Sequence, residues 1–350
     1  MKTLETYYND LFNKPEKWNY YGGKLSNPIY NNSYDNFLKE YIKPSGKGDS
    51  NPLMETLNRV DYKGHVFSVF FLGILLYENC KKIRDQIDIK IKYYKKVNNH
   101  SEISFSFIWF IISLFHDSGY RFEEKNEYKK IEHVDIDYKL KKYKGGIPKQ
   151  ISNTWRDYFK YKLNYLKPEN LRKPDHGILA GILLFDTLTK TYEYYKKLNG
   201  NKEEFVYHNL FWSKKLLNVY NLCSWTILAH NIFFLNVKSD DKEKIDSYFE
   251  KDLEQLVIKR GQKPVINLHN YPFLFLLCLV DTIEPSKMQS DNDLKECLKQ
   301  TDMDLNHNEI NIKFSKKIEK SRFDKILKMG NWLDDIETEK SDDNIKIKIV

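Results

Sequence analysis

The chain has 350 residues, with 41% hydrophobic and 30% charged side chains, which is ordinary for a soluble globular protein of one large domain or a domain with a small appendage. Its apolar runs, Val66–Tyr77, Ile103–Phe115 and Phe273–Val280, are too short for a bilayer, which needs about 20 residues, so no membrane partner is expected. The net charge of +8 favours anionic ligands at long range, although a Lys-rich solvated surface accounts for it more simply than a nucleic-acid track.

Aromatic content is high, with 25 Tyr and 21 Phe beside abundant Lys, Asn and Ile. That combination is what an AT-rich genome encodes. The segment Met1 to Asp10 is polar and has no apolar core of a signal peptide. The four cysteines, Cys80, Cys223, Cys278 and Cys297, stand far apart with no C-x-x-C pair. They read as reduced thiols of a cytoplasmic protein.

Residues 1–50 are Tyr- and Asn-rich with scattered Gly and Pro, and read as a segment of short helices and loops wrapping a core. Asn51-Pro52 has the form of an N-cap followed by proline at the first helical position. A helix is expected from there to about Tyr77. His65 shares one face of it with Val69, Leu72 and Leu76 and so points inward. A second helix, about Ser104 to His116, places Phe105, Trp109 and Ile112 on the face of His116 and stops near Gly119. The stretch 121–172 is Lys-, Tyr- and Glu-rich and reads as an insertion of loops and a helix. Its alternation of charge with aromatics suits single-strand binding, and codon bias explains it as well.

Pro174-Asp175 opens another helix, with Asp175 read as its N-cap, and Ala180, Leu183 and Leu184 on the face of His176. A helix from about Ser213 to Phe234 carries His230, with Val219, Cys223 and Ile227 behind it. Residues 239–263 are charged. A helix from about Tyr271 ends beyond Asp281. Glu284 and Lys287 follow at a helix end that reads as solvated, where Lys287 could still meet a substrate phosphate. Past about residue 300 the period becomes two: Ile310, Ile312 and Phe314, then Ile345, Ile347 and Ile349, with a helix of about Lys316 to Met329 between. That predicts a small β-α-β tail over 301–350, after a helical domain over 51–300. His100, His133, His208, His269 and His307 sit in polar surroundings and read as surface residues.

Six ionisable side chains then stand out. His65, His116, Asp117, His176, His230 and Asp281 recur at wide, similar intervals, each at the end of or inside an apolar segment. An ionisable group is costly to bury there without a partner. A His-Asp dipeptide alone carries little weight, because chance supplies it in a chain of this size. Here His116-Asp117 closes an apolar helix just before a glycine. An adjacent His and Asp can reach around one ion from a helix end, and the carboxylate has a second oxygen for another.

The segments KGHVFSVFFLGILLY around His65, FIWFIISLFHDSGYRFE around His116-Asp117, KPDHGILAGILL around His176, TILAHNIF around His230 and LFLLCLVDTIEP around Asp281 together resemble the HD-domain superfamily of metal-dependent phosphohydrolases. The order H…HD…H…H…D is that of its two-metal version, and the resemblance spans about residues 50–290. It implies a mostly α-helical HD bundle, here with the short α/β tail. It also implies that His65, His116, Asp117 and Asp281 hold one ion while His176 and His230 hold a second, with Asp117 bridging. Such mixed donors suit Mn, Fe, Co, Ni or Zn better than Mg or Ca.

The chemistry implied is hydrolysis of a phosphate ester of a nucleotide or cyclic nucleotide by a metal-bridged hydroxide, that is, a phosphohydrolase or phosphodiesterase. Many relatives carry a lysine three residues after the His-Asp pair. This chain has Tyr120 there and Arg121 next, and Arg121 either grips a phosphate bidentately or pairs with Glu123 or Glu124 on the surface. Three alternatives stay open: a nuclease on single-stranded nucleic acid, a di-iron oxygenase of the myo-inositol oxygenase type, and a nucleotide sensor without turnover. Neither substrate identity nor oligomeric state is legible.

Overall fold

The computed structural model describes residues 1–13, 60–98, 103–119, 176–207, 210–231, 257–260, 263–285, 294–314, 320–341 and 344–350. In chain order the elements are β1 (Lys2–Thr3), α1 (Leu4–Asn13), α2 (Val60–Asn79), α3 (Lys81–Asn98), α4 (Phe105–Phe115), α5 (His176–Leu198), β2 (Glu204–Tyr207), β3 (Leu210–Ser213), α6 (Leu216–Ala229), β4 (Val257–Arg260), β5 (Lys263–Ile266), α7 (Pro272–Ile283), α8 (Leu294–Lys299), β6 (Thr301–Asn306), β7 (Glu309–Phe314), α9 (Lys320–Leu327), β8 (Ile336–Ser341) and β9 (Asn344–Ile349). The described chain is mostly helical, with a small sheet at the C-terminal end, as expected. Its contacts divide it into two compact units: Met1–Tyr20, Lys63–Tyr93 and Leu256–Val350 form the first, and Tyr21–Tyr62 with Tyr94–Gln255 form the second. The expected insertion over 121–172 lies outside the described residues.

In the first unit α2 and α7 are core helices. Val66, Val69, Phe70, Leu72 and Leu76 of α2 are buried, as is every residue of α7. A helix apolar on all sides has no solvent face to keep, so it goes to the middle. Pro272 occupies the first turn of α7, where its missing N–H costs nothing. Ahead of it Asn267 shapes the turn, its Oδ1 accepting from Asn270 N at 3.0 Å and its amide donating to Asp334 at 3.2 Å. By contrast α3 is one-sided. Ile83, Ile87 and Ile91 are buried at helical spacing, while Lys81, Lys82, Asp85 and Lys92 are exposed.

The C-terminal sheet is antiparallel, in the order β1-β6-β7-β9-β8. Ile312 stands opposite both Met303 and Ile345, and Ile310 opposite Ile347. These side chains are all fully buried, so the expected period of two is the inner face of the sheet. The outer face carries charge, including Lys346 3.1 Å from Glu309. The expected β-α-β tail is in fact two hairpins flanking α9, with β1 added at one edge. The turn between β6 and β7 caps α3: Lys81 N donates to the His307 carbonyl at 2.8 Å and Lys82 N to Asn308 Oδ1 at 3.1 Å.

In the second unit α4, α5 and α6 pack on one another. Ser104 caps α4, its hydroxyl accepting from Phe107 N at 3.3 Å, and every residue of Phe105–Phe115 is buried. Cys223 Sγ of α6 donates to the Ile108 carbonyl of α4 at 3.8 Å. The α5–α6 contact is close because α5 presents two glycines. A side-chain carbon on Gly181 would collide with the Ser224 carbonyl and with Leu228. The helix expected from Ser213 begins instead at Leu216, after a hairpin of β2 and β3. That hairpin is held by stacking of Tyr192 on Phe205 and by the edge of Trp212 against Tyr195.

Candidate metal centre

Within the second unit, His116 and His230 occupy the same local position, the C-cap of a buried helix. The last carbonyls of a helix lack backbone partners, and its C-terminal end is electronegative. Each ring answers this in the same way. His116 Nδ1 donates to the Ser113 carbonyl at 2.7 Å, and His230 Nδ1 donates to the Ile227 carbonyl at 2.6 Å. A carbonyl can only accept, so the proton sits on Nδ1 and the lone pair on Nε2. The two rings meet edge to face with centroids 5.6 Å apart.

His176, the first residue of α5, brings a third imidazole, 5.3 Å from His230 between centroids. The Asn231 side-chain amide donates to its Nε2 at 3.0 Å, so this ring also presents Nε2 as the acceptor. Asp117 lies among them. Its Oδ1 is 3.3 Å from His116 Nε2 and 3.3 Å from His176 Nε2. One ligand atom from each of Asp117, His176 and His230 can be chosen so that all three lie within 4.8 Å of one another. His116, Asp117 and His230 are buried. Glycines make the approach possible. A side-chain carbon on Gly119 would collide with the His176 carbonyl, and one on Gly177 would stand 2.7 Å from both Nδ1 and Cε1 of His230.

The donor set fits a divalent ion. Two imidazoles and a buried carboxylate, those of His176, His230 and Asp117, could hold a metal ion together. Backbone carbonyls hold two of the rings from behind, as second-shell partners of metal-ligating histidines do. The negative ends of α4 and α6 add a field that favours a cation.

Within the first unit, His65 of α2 lies between two carboxylates of the α7 end. Its Nε2 is 3.4 Å from Asp281 Oδ1, and its Nδ1 donates to Glu284 Oε2 at 2.9 Å. All three side chains are buried, Glu284 completely. This corrects the expectation of a solvated helix end at Glu284. Asn231 and Glu284 are the site residues that the sequence reading missed. Arg121, Lys287 and Asp175 lie outside the described residues, as do His100, His133 and His208. His269 is exposed and its Nδ1 pairs with Gln86 at 2.8 Å.

The cysteines take no part. All four are buried and none forms a disulfide. Burial pushes the Cys80 thiol up to about 12 and raises Cys223 and Cys278 as well, so none of these three is a ready thiolate ligand or nucleophile. Among the described residues no helix is long and apolar enough to cross a membrane. No protein-family model, curated protein or solved structure matches the chain.

Proposed function

We propose that the chain is a metal-dependent phosphohydrolase of the HD type, cleaving a phosphate ester of a nucleotide or cyclic nucleotide. The observation that supports this most is the convergence of Asp117, His176 and His230 from three separate stretches of sequence, with donor atoms within 4.8 Å of one another. His230 would hold metal through Nε2, and His176 through the same nitrogen once the Asn231 amide that donates to it turns aside, and Asp117 has a second oxygen to bridge to another ion. Motif order assigns His65, His116 and Asp281 to metal as well. Divalent ions held by such donors supply an acidified water and neutralise charge on phosphoryl oxygens.

The chain's own groups do the rest. The carbonyls of Ser113 and Ile227 keep the protons of His116 and His230 on Nδ1, so neither ring need reorient to bind. Arg121 and Lys287 are proposed phosphate contacts on sequence alone.

The test is a screen of the purified full chain with Mn, Fe, Co, Ni and Zn against nucleotides, cyclic nucleotides and oligonucleotides. Phosphate or nucleoside release that stops on chelation is expected. Iron content with oxygen-dependent activity would replace the reading by the oxygenase, and tight nucleotide binding without turnover by the sensor. Oligonucleotide cleavage with affinity falling steeply in salt would select the nuclease.

A further inference from the structure

We infer that Glu284 is a positioning residue that orients His65 for metal binding. This deepens the proposed function, since it rests on His65 being a ligand. The α7 end addresses both nitrogens of one imidazole. Asp281, inside the helix, faces Nε2 at 3.4 Å, and Glu284, its C-cap, accepts from Nδ1 at 2.9 Å. At Glu284 the backbone leaves the helix for an extended conformation (φ −63°, ψ 124°). The carboxylate is thereby set at the rear of the ring instead of beside Asp281.

The carboxylate has one consequence for the imidazole that packing alone would not supply. A carboxylate can only accept from Nδ1–H, so in the neutral ring that binds metal it fixes the tautomer with the lone pair on Nε2, the nitrogen that faces Asp281. It also makes that nitrogen more basic, as carboxylate–histidine–metal arrangements do. His116 and His230 obtain the same tautomer from neutral backbone carbonyls. His65 has a charged partner, at a position where a fully buried glutamate is uncommon unless paired.

The experiment compares the full-length wild type with Glu284→Ala, Glu284→Gln and His65→Ala. Mn and Zn affinities are read by chelator competition, and the His65 tautomer by nitrogen-15 NMR. His65→Ala is expected to lose affinity. Glu284→Ala should bind about 10- to 100-fold more weakly, with the His65 proton distributed over both nitrogens. Glu284→Gln, which keeps an accepting oxygen, should hold the proton on Nδ1 and recover most of the affinity. A merely structural role would lower stability and leave affinity and tautomer alone.

Wild-type affinity in both Glu284 variants, with His65→Ala impaired, would overturn the positioning role and leave the metal reading intact. Wild-type affinity in His65→Ala would instead remove His65 from the metal site, and Glu284 with it. Should Glu284→Ala fail to fold, Glu284→Gln decides: a proton moved to Nε2 with unchanged affinity overturns the inference.

Discussion

Gly177 lies against the imidazole of His230, so close that a methyl group on its Cα would stand 2.7 Å from Nδ1 and from Cε1. Nδ1 is the atom that donates to the Ile227 carbonyl. A methyl group there must displace the ring or the helix, and so strains the bond that keeps the ring's lone pair on Nε2. Gly177→Ala is expected to destabilise the protein by about 1–3 kcal/mol, the usual cost of overpacking, and to weaken metal binding beyond that loss. Urea denaturation with chelator present, beside metal titration of the folded variant, separates the two effects. A variant of wild-type metal affinity would show that the close approach serves packing only.

His176 and His230 are expected to serve the same ion. His176→Ala and His230→Ala should each lower the metal content of the purified protein by about one equivalent and keep the fold, since removing a single ligand costs affinity far more than structure at a helix end. Elemental analysis paired with circular dichroism checks this. Full metal content in both variants would remove the second ion from the account.

Alkaline pH should weaken the fold through its thiols. Burial raises Cys80 to about 12 and Cys223 higher still, from an ordinary thiol value of 9.0. The folded state thus prefers the neutral form. Their contribution is complete below the unfolded-state value and is lost as pH rises from there towards the folded value. Each thiol then costs about 1.4 kcal/mol per pH unit. Urea midpoints measured from about pH 8 to about pH 11 should fall, and Cys80→Ala should fall less steeply over the same range. A slope unchanged by Cys80→Ala would assign the loss to other groups.

Ile312 is fully buried between Met303 and Ile345, whereas Lys346 and Glu309 pair on the outer face of the same sheet. Ile312→Ala should cost about 2–5 kcal/mol, and Lys346→Ala under about 1 kcal/mol. Denaturant melts of both variants test this. Equal losses would place the sheet's stability on its charged face.

Much of this architecture is legible in the residues because the helices carrying the ionisable groups are core helices. His65 with Val69, Leu72 and Leu76, and His116 with Ile112, Trp109 and Phe105, share faces that the structure buries. The helix starts expected at about Ser104 and about Tyr271 are ones that the structure keeps. What was missed lacked periodicity. β8 buries Ile336 alone, and an edge strand that keeps its charges in solvent gives no alternating pattern. β4 (VIKR) and β5 (KPVI) group their apolar residues instead of alternating them, so neither shows a period of two.

The missed site residues lacked a pattern as well. Glu284 follows Asp281 by three positions, but it stands at the C-cap in an extended conformation, so helix spacing gave no signal and its charge read as a solvated end. Asn231 had none either, because a residue just past a helix end has no face to share. The glycines at 177 and 181 repeat at one-turn spacing, and their meaning emerges only when α6 is seen lying against them.

The most direct test of the central claim is the metal content of the full-length protein beside that of Asp117→Ala, read by mass spectrometry after growth with Mn, Fe, Co, Ni and Zn. The account predicts about two equivalents of transition metal in the wild type, near none in the variant, and chelator-sensitive phosphate ester hydrolysis in the wild type alone. Wild-type metal content in Asp117→Ala, or a wild type that holds no metal at all, would contradict it.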